Sequence, residues 1–217
     1  MMTSLFSSFD PASTYMQMNW IMMTSTLMIL PMNFWLKKSR WNMLKNSMEK
    51  KINKEFYNLT HHKEIILMST STFFLILIIN IVGLLPYTFT PTSHISLTMS
   101  MAMPMWIMLM LYGWTKFTNS MFIHLLPMGT PNMIMPMMIM IETTGNFIRP
   151  ISLSVRLTAN MIAGHLLLTL LGNMNNIKIL PLMFIMQLIL MLFELAISII
   201  QAYVFSTLMT LYSSEIP

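Results

Sequence analysis

The sequence predicts an all-α integral membrane protein. It should hold about five membrane-embedded helices and one interfacial amphipathic helix, with the last two helices long and strongly tilted as a hairpin. Three observations lead there. Of 217 residues, 55% are hydrophobic and 9% charged, with a mean hydropathy of +0.65, whereas a soluble domain carries about 25% charged residues. The apolar residues come in runs of about twenty or more, the length that crosses a ~30 Å hydrocarbon core. Those runs are apolar throughout rather than alternating, and in lipid such a backbone satisfies its polar groups within helices.

Composition excludes several classes. A cytosolic enzyme needs a charged surface that this chain does not supply. Cysteine is absent, which removes disulfides, thiolate catalysis and cysteine-bound metal. No cofactor or metal is expected, since no paired histidines fall on neighbouring spans at matching depth. Eight of the twelve Lys and Arg lie in residues 37–63. That segment is short and poor in aromatics, so it reads as a face against lipid headgroups and not as a nucleic-acid site.

The chain reads as a single membrane domain, 1–217. Residues 15–36 form the first span, with Trp20 and Trp35 as interface anchors. In 37–63, Trp41, Leu44, Met48, Ile52 and Phe56 recur every three to four residues, the signature of an amphipathic helix lying in the interface. Residues 65–85 are a second span, closed by Pro86, and 95–114 a third. Residues 116–131 read as a loop broken by Pro127, Gly129 and Pro131. The last two stretches are 132–171, interrupted by Pro136 and Pro150, and 177–211, joined by a turn at Gly172 to Asn176. At 1.5 Å per residue they measure roughly 60 and 50 Å, so they must tilt or bend.

Basic loops stay on the side of synthesis. With 37–63 on that side, five crossings place the N-terminus outside, the 87–94 turn outside, 115–131 inside, 172–178 outside and the C-terminus inside. Lys116 agrees and Lys178 is the exception. Thirty methionines serve as flexible apolar filler. They also fit a mitochondrial code that reads an isoleucine codon as methionine. Met1 to Asp10 carries no basic residue, unlike a secretory signal or a transit peptide. Together these point to a chain made in the organelle and placed in its inner membrane.

Ionisable groups inside spans are costly and mark function. The last two stretches carry Glu142, Arg149, Arg156, His165 and Glu194, with Asn160 and Gln201 as amides. At about 100° per residue, Asn160, Arg149 and Glu142 fall within about 40° of Arg156, and His165 falls about 180° away. Glu194 and Gln201 share a face of the last helix. A hairpin folded near residue 175 puts Arg156 level with Glu194 and Gln201 level with Arg149. His165 is nearest the outside and Glu142 furthest toward the matrix.

The arrangement suggests two offset proton paths. His165 and Glu194 are expected to face one water-filled cavity open to the outside, and Glu142 serves the matrix side. A guanidinium keeps its proton, so Arg156 blocks straight passage between the paths and attracts a carboxylate on a partner. Arg149 has a simpler reading, as an ion-pair partner of Glu142. His61, His62, His94 and His124 fall in loops or ends and read as solvated. A proton-pumping or quinone-binding subunit of a respiratory complex is the rival, but it should carry charge in several successive spans. A membrane scaffold gains nothing from buried charge.

The block Leu153-Ser154-Val155-Arg156-Leu157-Thr158-Ala159-Asn160, continued by Ala163-Gly164-His165-Leu166-Leu167, resembles the signature of subunit a of the rotary ATP synthase in its mitochondrial form. Asn80 to Tyr87 resembles the end of that family's second span, and Phe193 to Phe205 its last helix. The resemblance implies a non-catalytic, proton-translocating stator subunit that couples proton flow to ATP synthesis. Its partners would be the ring of proteolipid c subunits, other membrane and peripheral-stalk subunits, the lipid bilayer, and protons as the transported ion. It also implies that Arg156 faces the ring, with Asn160 and Gln201 as polar neighbours. His165 and Glu194 would form the intermembrane-space half-channel, and Glu142 the matrix half-channel. Gly83 stands where some bacterial relatives carry an acid.

Overall fold

The computed structural model describes residues 5–12, 16–24, 28–30, 37, 39–60, 62–85, 88–126, 129, 131, 133–173 and 180–215. Among the described residues, the main α-helices follow in order: α1 (Arg40–Leu59), α2 (Lys63–Gly83), α3 (Ile95–Lys116), α4 (Thr118–Leu125), α5 (Met135–Asn173) and α6 (Leu180–Ser214). Short 3₁₀ segments cover Leu5–Phe9, Met18–Thr24 and Pro91–Ser93. Among the described residues, α2, α3, α5 and α6 are long and apolar enough to cross a membrane. The chain is an all-α membrane protein.

The expected first span, 15–36, lies partly outside the described residues. Its described parts sit toward opposite ends of the bundle. Trp20 packs edge-on against Phe89 and at a tilt on His94 at the α2–α3 turn. Leu30 lines a groove with Lys45, Lys63 and Ile66 at the α1 end.

Helix α1 begins at Ser39, whose hydroxyl accepts from the Asn42 N–H, satisfying one of the free donors of the first turn. Its apolar stripe divides along its length. Trp41, Leu44 and Met48 are exposed, while Phe56 is fully buried and Ile52 packs against the core. The start of the helix therefore offers its stripe to the interface, and its end docks on the bundle.

The core joins Phe73 and Ile76 of α2, Ala102 of α3, Leu153 and Leu157 of α5, and Ala202, Phe205 and Met209 of α6. In lipid, helices gain little by hiding apolar surface from each other, so close packing of small residues carries the association. Helix α6 supplies such a stripe in Ser198, Ala202, Ser206, Thr210 and Ser213, all buried. The Ser and Thr hydroxyls donate to carbonyls three or four residues back, so none of them is left unpaired.

Three expectations change. The 116–131 loop contains the helix α4, eight residues that hide no breaker, because Pro127 comes only after its end. Neither proline interrupts α5. Pro136 falls in the first turn, where an amide hydrogen has no intrahelical partner to lose. Pro150 sits inside the continuous helix, and there it is buried. The expected turn at Gly172 and Asn173 is still helical, and α6 starts at Leu180. Residues 174–179 lie outside the described residues.

This last change moves the register of the hairpin. Gly172 lies against Gln187 and Gly164 against Glu194, Arg156 and Gln201 line one small pocket, and Arg149 stacks on Tyr212 at 4.9 Å. Arg156 is thus level with Gln201, not Glu194, and Arg149 with Tyr212, not Gln201. The offset along α6 is about two to three turns of helix, because α5 stays helical to Asn173 and α6 starts only at Leu180. With 39 and 35 residues, α5 and α6 measure roughly 58 and 52 Å at 1.5 Å per residue. Neither stands upright within a ~30 Å core.

Candidate proton-transfer site

Arg156 and Asn160 lie on the outer face of α5 and are exposed. Around them on α5 and α6, Val155, Leu167, Leu192, Phe193, Ile199 and Ile200 also point outward. The two polar groups therefore stand in a broad apolar face that no other described element of the chain covers. On the inner edge of that face, Gln201 is buried and shares a small pocket with Arg156, Leu153 and Phe205. It is the one polar residue that α6 contributes to the lining of that pocket.

His165 and Glu194 occupy a different environment. Glu194 is 7% exposed. Its carboxyl group packs on Gly164, where an added Cβ would stand 2.9 Å from Cδ and 3.1 Å from Oε1. Glycine at 164 is thus what lets the carboxylate approach the α5 backbone one residue from His165. Both Glu194 oxygens and His165 Nε2 are buried without a hydrogen-bond partner among the described residues. Buried polar groups in folds are paired with protein or with water, so these atoms are placed to take water as their partner.

His165 borders a cavity of about 800 Å³ together with Thr169 of α5, Gln187 of α6 and Leu85 at the end of α2. Glu194 is not among its lining residues. The expectation of one cavity shared by both groups is therefore corrected: His165 meets the cavity, and Glu194 lies behind it against Gly164. The Phe9 ring sits edge-on to His165, with centroids 6.2 Å apart.

Glu142 is toward the other end of α5. It lies 3.9 Å from Arg149 and stays half-exposed, so the pair is loose. Arg149 is also bonded to Glu215 and lies over the Tyr212 ring. Arg149 thus ties α5 to the end of α6.

Sequence reasoning missed three features. The role of Gly164 is steric, and only the close approach of Glu194 reveals it. The contact of Phe9 with His165 joins residues too far apart in the chain for periodicity to link. His94 is not a solvated histidine: its Nε2 lies 3.0 Å from the Phe9 carbonyl, and its ring packs on Trp20 and Phe89. His62 is exposed at the start of α2. His61 and the His124 side chain lie outside the described residues.

Comparison with known proteins bears on this geometry. Residues 14–214 match the family described as ATP synthase A chain. The chain is 49% identical over 225 residues to ATP synthase subunit a of Anopheles quadrimaculatus, covering 100% of both chains. It is 48% identical over 223 residues to ATP synthase subunit a of Drosophila melanogaster, again covering 100% of both.

Proposed function

This chain belongs to the ATP synthase A chain family, and from that premise we propose how its residues move protons. The chain acts as the proton-translocating subunit of the ATP synthase complex. The reading as a respiratory-complex subunit is set aside by the family match over residues 14–214 and by the relatives matched over their full length.

The subunit does not make or break ATP. It is the stator against which a ring of proteolipid c subunits turns, held by the other membrane and peripheral-stalk subunits. It lies in the mitochondrial inner membrane, with the N-terminus in the intermembrane space and the C-terminus in the matrix. Protons reach His165 from the intermembrane space and pass to Glu194 beside Gly164. From there they protonate a ring carboxylate. After almost a full turn the carboxylate meets Arg156 and releases its proton to the matrix path through Glu142. Asn160 and Gln201 flank the guanidinium and hold it toward the ring. A membrane potential supplies about 2.3 kcal/mol per charge per 100 mV, so several protons are needed for each phosphorylation.

The observation that carries this reading is the split between the two faces. Arg156 and Asn160 are exposed on an apolar surface, while the His165 and Glu194 polar atoms are buried on another side. A permanent charge on a lipid-facing surface would be expensive, and a ring carboxylate opposite it removes that cost. The test is disulfide cross-linking in the assembled complex, between Asn160→Cys and a cysteine placed beside the mid-span carboxylate of the c subunit. Cross-linking that stops rotation is expected. A bond formed instead by cysteine at Phe74 on α2, with none at 160, would overturn the assignment of the face.

A further inference from the structure

We propose that the N-terminal segment Leu5–Asp10 forms the outer wall of the proton inlet, and that the Asp10 carboxylate gathers protons there for His165. The proposal rests on the reading of His165 as an inlet group.

The cavity of about 800 Å³ has two ionisable groups among its described lining residues, Asp10 and His165. Ser7, Ser8, Thr169 and Gln187 add polar atoms to its wall, so it is suited to hold water. Asp10 is held in place by its backbone. The carbonyl of Phe9 lies 3.0 Å from His94 Nε2, and the carbonyl of Asp10 accepts from Asn19 Nδ2 at 3.2 Å. Trp20, next to Asn19, packs on Phe89 and His94. The Phe9 ring then meets His165 directly. Two successive carbonyls and two aromatic contacts thus anchor a segment that composition alone leaves as a loose end.

The chain has seven acidic residues. Glu49 and Glu55 lie on α1 and Glu64 in the first turn of α2, Glu142 and Glu215 meet Arg149, and Glu194 is buried in the hairpin. Asp10 is the acidic group at the cavity end. No Lys or Arg among the described residues forms an ion pair with it.

The physical need is supply. At neutral pH, capture of protons from bulk at ~10¹⁰ M⁻¹s⁻¹ delivers on the order of 10³ per second to one group. A negative charge in a recess raises local cation concentration and on-rates by about 10-fold or more. The Asp10 carboxylate takes a proton from hydronium, becomes the neutral acid, and gives the proton through cavity water to the His165 imidazole. The carboxylate is then restored, with no net change. Asp10 and His165 are the ionisable side chains among the described residues of the cavity wall. His94 lies behind the segment, and Glu194 lies beyond Gly164.

The experiment uses the whole complex in vesicles, with ATP synthesis measured across a range of outer pH. The membrane potential is adjusted to keep the total driving force constant. Asp10→Asn is expected to lose about 10-fold in rate at alkaline outer pH and to match the unmodified complex at acid outer pH, where bulk supply suffices. Asp10→Glu should restore the rate. In Asp10→Cys, a sulfonate-bearing thiol reagent should restore alkaline activity and an ammonium-bearing one should not. The chain holds no other cysteine. Asp10→Asn behaving like the unmodified complex at every outer pH would overturn the proposal. So would a loss of equal size at every pH that ignores the sign of the label. His165→Ala should fail at all pH values. If it does not, the reading of His165 fails, whatever Asp10→Asn does.

Discussion

Replacing Gly164 with alanine tests the proposed link between His165 and Glu194. The added Cβ would stand 2.9 Å from Glu194 Cδ and 3.1 Å from Cγ. An ordinary carbon–carbon contact is about 3.5 Å, so the carboxyl group must retreat by roughly 0.6 Å. The clashing atoms are the end of a flexible side chain, so the fold yields cheaply. The stability cost should sit near the low end for an overpacked site, about 1 kcal/mol, partly offset by the helix preference for alanine over glycine. Function should lose more than stability. A misplacement near 1 Å can cost about 100-fold in a positioned reaction, so a loss of 10- to 100-fold in proton-driven ATP synthesis is expected. Gly145→Ala is the control, since nothing lies within 4 Å of its Cβ. Adding Glu194→Asp to Gly164→Ala withdraws the carboxyl by one methylene and should recover part of the loss. The assay is ATP synthesis in reconstituted vesicles beside thermal unfolding of the complex. Gly164→Ala with full activity would refute the argument that this glycine seats Glu194.

Exchanging the pair, His165→Glu with Glu194→His, should preserve more proton flux than either single change. Equal or greater loss in the double variant would deny coupling between them. Arg149→Ala removes the Tyr212 stacking and the ties to Glu142 and Glu215. It should lower stability by about 1 kcal/mol, read by thermal unfolding, while ATP synthesis continues; abolished synthesis in an assembled complex would give Arg149 a role in proton movement.

The long apolar helices and the amphipathic segment were legible in the sequence because both are patterns of neighbours. Ile52 and Phe56 are spaced to fall on one side, and they do pack inward. Helical phase likewise separated Arg156 from His165, since both lie on one unbroken helix. The hairpin register was not legible. It depends on where the chain reverses, and Gly172 and Asn173, which read as turn formers, remain helical. An error of a few residues there moves Gln201 from Arg149 to Arg156. The proline readings failed for a related reason. A proline in the first turn, such as Pro136, starts a helix as readily as it ends one. The wall around His165 was out of reach, because Phe9, His94 and His165 meet only through folding. Gly164 stood inside the motif that carried the resemblance, and its role appeared only once Glu194 was seen against it.

The central claim is that Arg156 separates two proton paths and faces the rotor carboxylate. The measurement that tests it most directly is ATP synthesis together with passive proton flux in vesicles holding the assembled Arg156→Ala complex. Synthesis should be abolished and the membrane should leak, because protons could then cross between the paths without rotation. Arg156→Lys should also fail to couple, since an ammonium has a different reach and can lose its proton where a guanidinium does not. An assembled Arg156→Ala complex that stays tight to protons and makes ATP at a near-normal rate would contradict the account.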